Sequence, residues 1–204
     1  MGNISDNNLT DQQLVNKVLR GDTNAFSVII KNTESLVAQI VFKMIENAED
    51  RKDIAQDVYL KAFNKLSGFK FQSKLSTWIA QISYNTCLSY LEKKKLVFPE
   101  KNYPENDDSD DALAVLSARS GDIFNNETEV AVTQKSLSTI LKTATEKLPP
   151  VYKTLITLYH NEEMSYEEIA RITAMPEGTV KSYLFRARRT LKESLLLQYK
   201  KEEL

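Results

Sequence analysis

Apolar residues recur at three- and four-residue intervals along most of the chain, the spacing of one face of a helix. Phe26, Ile29, Ile30, Leu36, Val37, Ile40, Val41 and Met44 form the longest such stripe, and Ile54, Val58, Ala62 and Leu66 form the next. Start and stop signals agree with the spacing. Thr10-Asp11-Gln12-Gln13 has the form of a capping box, with Leu9 and Leu14 placed as a hydrophobic staple, so a first helix begins there and Gly21 stops it. Asp22 or Thr23 restarts the chain. Asn47 suits the cap of a third helix over about 48 to 66, whose other face carries Asp53, Gln56, Asp57, Leu60 and Lys61. A loop of mixed aromatic and basic character, Phe69-Lys70-Phe71-Gln72-Ser73-Lys74, leads to a fourth helix from about Ser76 to Lys95.

The periodicity fails after Lys95. Residues 96–127 contain Pro99 and Pro104 and the run Asp107-Asp108-Ser109-Asp110-Asp111, the composition of a linker. Regular spacing returns with Val130, Leu137, Ile140, Leu141 and Ala144. Pro149 disfavours helical geometry at Leu148, and Pro149-Pro150 suits the first turn of a new helix carrying Val151, Leu155, Ile156 and Tyr159. A second capping box, Ser165-Tyr166-Glu167-Glu168, opens a short helix to about Thr173. Met175-Pro176 breaks it, and a long helix starts at Glu177. The pattern predicts an all-α protein of two helical domains, residues 1–95 and 128–204, joined by a flexible acidic linker over 96–127.

Composition narrows the choice. A chain of 204 residues that is 42% apolar has enough material for one or two packed cores, and five glycines and five prolines without strand-like alternation disfavour sheet folds. Cys87 is the only cysteine and His160 the only histidine, so neither an internal disulfide nor a Cys/His zinc cluster is expected. The first residues lack the basic flank and apolar stretch of a signal peptide, and no stretch approaches the roughly 18 apolar residues of a membrane span. A cytoplasmic protein without membrane insertion is the expectation. The net charge of −1 favours no partner, but its distribution does. Residues 61–95 hold seven lysines against Glu92, and residues 178–201 hold seven basic side chains against Glu193, a balance of +6 each. The intervening 96–147 carries five basic and ten acidic residues. Two basic blocks around an acidic connector suit two surfaces that meet a polyanion.

The chemistry concentrates in those blocks. Ser165 to Leu195 reads as a helix-turn-helix, with Ile169 and Ile172 facing Val180, Leu184, Ala187 and Leu191 across the seam. The outward face of the second helix carries Lys181, Ser182, Phe185, Arg186 and Arg189, which supply donors for guanine edges and phosphates, a small hydroxyl, and an apolar group for a thymine methyl. A merely solvated basic face leaves Phe185 among arginines unexplained. In the first domain Phe69, Phe71, Trp78 and Tyr84 lie near Lys70, Lys74 and Asn85, a mixture that stacks on exposed bases and neutralises phosphates. Trp78 is equally suited to the core. Other chemistry lacks its residues. No Walker or GxGxxG loop is present, the Asp107 to Asp111 run lacks the glycine and glutamate of an EF-hand, and Cys87 belongs to no nucleophile motif and reads as a small buried residue.

Ala48-Glu49-Asp50, Gln56-Asp57-Val58-Tyr59-Leu60-Lys61-Ala62-Phe63, Ser76-Thr77-Trp78-Ile79 and Asn85-Thr86-Cys87-Leu88-Ser89-Tyr90-Leu91 together resemble region 2 of the extracytoplasmic-function sigma factors of bacterial RNA polymerase. Leu148-Pro149-Pro150, Ser165-Tyr166-Glu167-Glu168-Ile169-Ala170, Pro176-Glu177-Gly178-Thr179-Val180-Lys181-Ser182 and Phe185-Arg186-Ala187-Arg188 resemble region 4 of the same family. The resemblance implies a non-enzymatic factor that binds core RNA polymerase, recognises a two-part promoter and helps to melt it, without a cofactor or metal. It places the polymerase contact on Asp53, Gln56, Asp57, Leu60 and Lys61. Minus-ten recognition and melting fall on Phe69, Lys70, Phe71, Gln72, Ser73, Lys74, Trp78 and Asn85. Minus-thirty-five recognition falls on Lys181, Ser182, Phe185 and Arg186, with Arg188 or Arg189 nearer phosphates. It implies an anti-sigma factor as a further partner and a monomer when free. Three positions depart from the family pattern. Phe71 and Gln72 stand where glycine and an acid are usual, Gln81 and Tyr84 where arginines are frequent, and Ala174 where a turn glycine is common. Two other classes compete with this reading. An autonomous regulator binding operator DNA would need a dimer seam that the sequence does not offer, and a helical interaction module would leave both basic blocks without a purpose.

Overall fold

The computed structural model describes residues 9–94 and 139–202, with side chains as far as Leu196. Every regular element among the described residues is helical. The first is α1, Asp11–Leu19. Its capping box forms as expected, with the Thr10 N–H donating to Gln13 Oε1 at 2.9 Å and the Gln13 N–H to Thr10 Oγ1 at 3.3 Å. Gly21 then takes φ +96°, a conformation that favours glycine, and turns the chain. Asp22 caps α2, Thr23–Met44, by accepting the Asn24 and Ala25 N–H groups. Asn47 caps α3, Ala48–Lys65, through the Glu49 N–H at 2.9 Å. A single 3₁₀ turn, Leu66–Gly68, leads into the aromatic-basic loop.

The fourth helix, α4, covers Leu75–Lys93, and its cap comes from elsewhere in the chain. Lys74 at the N-cap position offers no side-chain bond. Asp11, in the first turn of α1, reaches across instead, its Oδ2 accepting the Leu75 N–H at 2.9 Å. One of the orphan donors of α4 is thereby satisfied, and a negative charge sits at the positive end of the helix. In the second half a helical stretch, 139–146, precedes α5, Pro150–His160, which has proline in its first turn as expected. The second capping box opens α6, Tyr166–Thr173, and α7 runs from Glu177 to Glu202. Ala174, between them, adopts the left-handed conformation at φ 55°, ψ 30°, with its N–H on the Ala170 carbonyl.

Packing follows the apolar stripes. Helices α1 to α4 enclose Leu14, Ile29, Ile40, Met44, Val58, Ile79 and Cys87, and α5 to α7 enclose Leu155, Leu158, Ile169, Ile172, Val180, Leu184 and Ala187. Leu191, expected in the same seam, is only half-buried. The two halves pack directly on each other, α5 on α2 and α6 on α4. Every residue of α5 from Val151 to Leu158 is buried, a consequence of having α7 on one side and α2 on the other. Among the described helices α2 is long and apolar enough to cross a membrane by composition, but eight of its residues are buried, Ile29, Ile40 and Met44 within the core. The acidic connector 96–127, its Asp107–Asp111 run and the expected domain boundaries around residues 95 and 128 lie outside the described residues.

Candidate nucleic-acid interface

The loop after α3 is an aromatic stack on a strained backbone. Phe69 is 7% exposed and packs between two rings, Phe71 at a centroid distance of 4.7 Å and Trp78 at 5.1 Å. Phe71 is the outer ring, 44% exposed, whereas Trp78 is half-buried. Phe69, expected as a base contact, is buried beneath the exposed Phe71 ring and presents little surface of its own. Phe71 adopts φ 56°, a left-handed conformation that favours glycine and is rare for a bulky side chain. Lys70, Gln72, Lys74 and Asn85 are exposed and Ser73 is half-exposed, with its hydroxyl on the Lys74 carbonyl. An exposed ring flanked by lysine ammonium groups is equipped to stack on a base and neutralise phosphates.

Of the two departures on α4, Gln81 is half-buried and Tyr84 is wholly buried. Burial, with Tyr183 of α7 adding to it, pushes the Tyr84 hydroxyl well above the usual tyrosine range, and this hydroxyl has no hydrogen-bond partner among the described residues. Cys87, one turn on, is buried as the sequence suggested. Burial pushes its thiol up to about 12, which removes it as a nucleophile at neutral pH.

The helix-turn-helix seam turns the face expected to read bases, at the start of α7, outward. Lys181 and Ser182 are exposed, and Phe185 and Arg186 are half-exposed. Lys181 lies 5.4 Å above the Tyr166 ring and Arg186 6.0 Å from that of Tyr183, so both cations are oriented by aromatic faces. The Ser182 hydroxyl turns back to donate to the Gly178 carbonyl at 2.9 Å. Arg189 is exposed and pairs with Glu193 at 3.1 Å. Arg188 is held differently. It sits 5.0 Å over the Tyr159 ring, with Nη2 3.5 Å from His160 Nε2, while Tyr159 stacks on Tyr166. Burial first, and then the charge of Arg188, keep His160 below the ordinary histidine value. Reading a basic face from the sequence gave no hint of these tyrosines, because Tyr159, Tyr166 and Tyr183 come from three helices.

On α3, Asp53, Gln56 and Leu60 are exposed, Leu60 to 63%. Asp57 and Lys61 pair with each other at 2.7 Å, and the Lys61 ammonium also donates to Thr86 of α4 at 3.3 Å. Phe63, beside them, is exposed and meets Phe26 edge-on at 5.0 Å; its core-like residue type hid it from the sequence reading.

Two packed helical halves, each with exposed cationic and aromatic side chains and the second built as a helix-turn-helix, define an all-helical protein of the nucleic-acid-binding class. Residues 29–97 match the sigma-70 region 2 family and residues 138–191 the sigma-70 region 4 family. The RNA polymerase sigma-H factor of Pseudomonas aeruginosa is 30% identical over 189 residues, 91% of this chain and 93% of that one. The ECF RNA polymerase sigma-E factor of Escherichia coli K12 is 33% identical over 185 residues, 90% of this chain and 93% of that one. Among solved structures, a sigma factor RpoE of Bartonella quintana, in complex with the anti-sigma factor NepR, aligns with a TM-score of 0.55 at 22% identity over 83% of this chain and 96% of that one. CnrH, in complex with the cytosolic domain of CnrY, aligns with a TM-score of 0.59 at 17% identity over 93% and 97%. The chain belongs to the extracytoplasmic-function sigma factors, the DNA-binding subunits that bring core RNA polymerase to promoters and start transcription.

Proposed function

We propose the following division of labour within that activity. Lys181, Ser182, Phe185 and Arg186 read base edges of the minus-thirty-five element, and Arg188 and Arg189 meet phosphates. Phe71, carried on Phe69 and Trp78, stacks on a base of the melted minus-ten strand, with Lys70, Gln72, Ser73, Lys74 and Asn85 around it. Asp53, Gln56 and Leu60 dock on the polymerase, while the Asp57–Lys61 pair holds the shape of that face. The chain itself is not an enzyme; bond formation belongs to the polymerase. It works as a cytoplasmic protein, monomeric when free, and an anti-sigma factor is its further partner, a reading supported by the complex of the Bartonella quintana relative. The proposed domains are residues 1–95 and 128–204 with the connector 96–127 between them.

The observation that carries this reading is the exposed Phe71 ring on a left-handed backbone, set among cations at the entry to α4. Run-off transcription with core polymerase over promoter variants tests it. Phe71→Ala should retain binding to double-stranded promoter and lose strand opening at least tenfold. Arg186→Ala should relax preference at one position of the upstream element at a cost of about 1 to 3 kcal/mol, whereas Arg189→Ala should weaken all sequences alike. Uniform loss with Arg186→Ala rejects its role as a reader, and full opening by Phe71→Ala rejects the stacking platform.

A further inference from the structure

The arginines of α6 and α7 are not all neutralised alike. Arg171 pairs with Glu167 at 2.6 Å and Arg189 with Glu193 at 3.1 Å, each within its own helix. Arg188 pairs with no carboxylate among the described residues. It is half-exposed, and its neighbours are a ring and an imidazole. Tyr159 lies 5.0 Å from the guanidinium, and His160 Nε2 stands 3.5 Å from Nη2. A ring face attracts the charge without accepting its N–H groups in the way a carboxylate does, so most of the donor capacity of Arg188 stays free.

This corner is continuous with the proposed reading face. Lys181 lies over the Tyr166 ring, Tyr166 stacks on Tyr159 at 5.1 Å, and Tyr159 meets both Arg188 and His160. The stacked pair carries the cationic surface from the first turn of α7 to the end of α5, where the exposed imidazole of His160 completes it. At 3.5 Å its contact with Arg188 is at the limit of a hydrogen bond, and Nη2 loses little by turning to another acceptor. An anion seated there meets two nitrogens side by side, a spacing that two oxygens of one phosphate group span. Nε2, which accepts from Arg188 in the neutral ring, must then carry a proton, and a phosphate beside the ring favours its charged form.

The groups around His160 leave the imidazole as the one that titrates near neutrality. Arg188 faces it from α7, Tyr159 adjoins it on α5 with its ring edge-on at 4.9 Å, and Tyr166 reaches the cluster from α6. Hydrogen bonding with Tyr159 first, and then burial, push the Tyr166 hydroxyl above the usual tyrosine range. Glu162 and Glu163 follow in the turn, Glu162 accepting from Gln39, and neither pairs with the ring. Without DNA, burial and Arg188 hold the imidazole below the ordinary histidine value, so it is neutral at pH 7. We propose that His160 is a second ligand, beside Arg188, for a backbone phosphate of the upstream element, and that promoter binding takes up a proton at its Nε2. A group that is neutral in the free protein and charged in the complex makes binding tighten as pH falls, until the free protein is protonated as well. The proposal rests on the reading of Arg188 as a phosphate contact and adds to it a partner and a proton.

The test uses the full chain and a fluorescent duplex carrying an upstream element found by the run-off assay, titrated at fixed low salt between about pH 8 and about pH 6. His160 is the only histidine, so its ring C–H resonances report its titration directly by NMR, with and without the duplex. The parent should bind about three- to tenfold tighter at the lower end than at the upper, and the imidazole should titrate at higher pH in the complex than in the free chain. His160→Gln, a change at an exposed position, should match the parent at the upper end and show no slope. Base-substituted elements should show the same pH increment as the original, because a phosphate carries no base identity. A flat parent profile, a slope retained in His160→Gln, or an imidazole unmoved by the duplex overturns the proposal. Arg188→Ala separates it from the reading beneath it. Affinity equal to the parent's at every pH in that variant rejects Arg188 as a phosphate contact, whereas weakened binding there with a flat parent profile rejects His160 alone. Absence of binding by every chain at every pH rejects the upstream reading and this proposal together.

Discussion

Among the described residues three non-glycine positions adopt left-handed backbone, Phe71, Glu163 and Ala174, and two of them illustrate opposite reasons for tolerating the strain. Phe71 holds an exposed ring over Phe69 at the proposed minus-ten site, where a bent backbone has a use. Ala174 supports nothing comparable. Its backbone merely turns the chain from α6 toward Pro176. The left-handed region costs an alanine roughly 1 to 2 kcal/mol, part of which glycine gives back through its freer unfolded chain, about 0.4 to 1 kcal/mol. Ala174→Gly is expected to stabilise the protein by about 0.5 to 1 kcal/mol, read as a higher urea midpoint at unchanged slope, without altering promoter preference. Phe71→Gly relaxes the same strain but removes the ring, so stability and strand opening should move in opposite directions. The resemblance pointed to both positions from the sequence; which of the two was worth its strain depended on the rings nearby, and Trp78 stands seven residues after Phe71 and nine after Phe69, a separation that no local pattern pairs.

At the scale of elements, local chemistry was legible where it was written in consecutive residues. Both capping boxes, the Asp22 and Asn47 caps, the proline-started α5 and the inward stripe Ile54, Val58, Ala62 and Leu66 all formed as the spacing predicts. The start of α4 was harder to read because its acceptor is Asp11, 64 residues upstream. A cap supplied across the tertiary structure leaves no mark in a window of residues around the helix. Such a bond ties the entry of α4, and with it Lys74 and the loop, to α1. Removing it should resemble loss of an N-cap, about 1 kcal/mol within a range of roughly 0.5 to 2. Asp11→Ala is thus expected to lower the unfolding free energy by that amount, and Asp11→Asn, which keeps an acceptor but not the charge, by a smaller part of it. Equal stability of all three chains in denaturant titrations would reject Asp11 as the cap of α4.

Across the whole molecule, the helical class was visible in the sequence, but the docking of one domain on the other was not. The reason lies in α5. A periodic stripe identifies one buried face, and Val151, Leu155 and Ile156 gave that face; the complete burial of Val151 to Leu158 needs α2 as a second wall, from more than a hundred residues away. Without that second wall, apolar surface of α5 meets water. Hydration of apolar surface makes such an opening cheaper as temperature falls, because the hydrophobic contribution weakens on cooling. Any opening between the two halves should therefore grow between 37 and 5 °C on the order of severalfold while both remain folded, visible as a larger radius of gyration with an unchanged helical signal. Enclosure of α5 thus makes the contact between the two halves one that loosens in the cold.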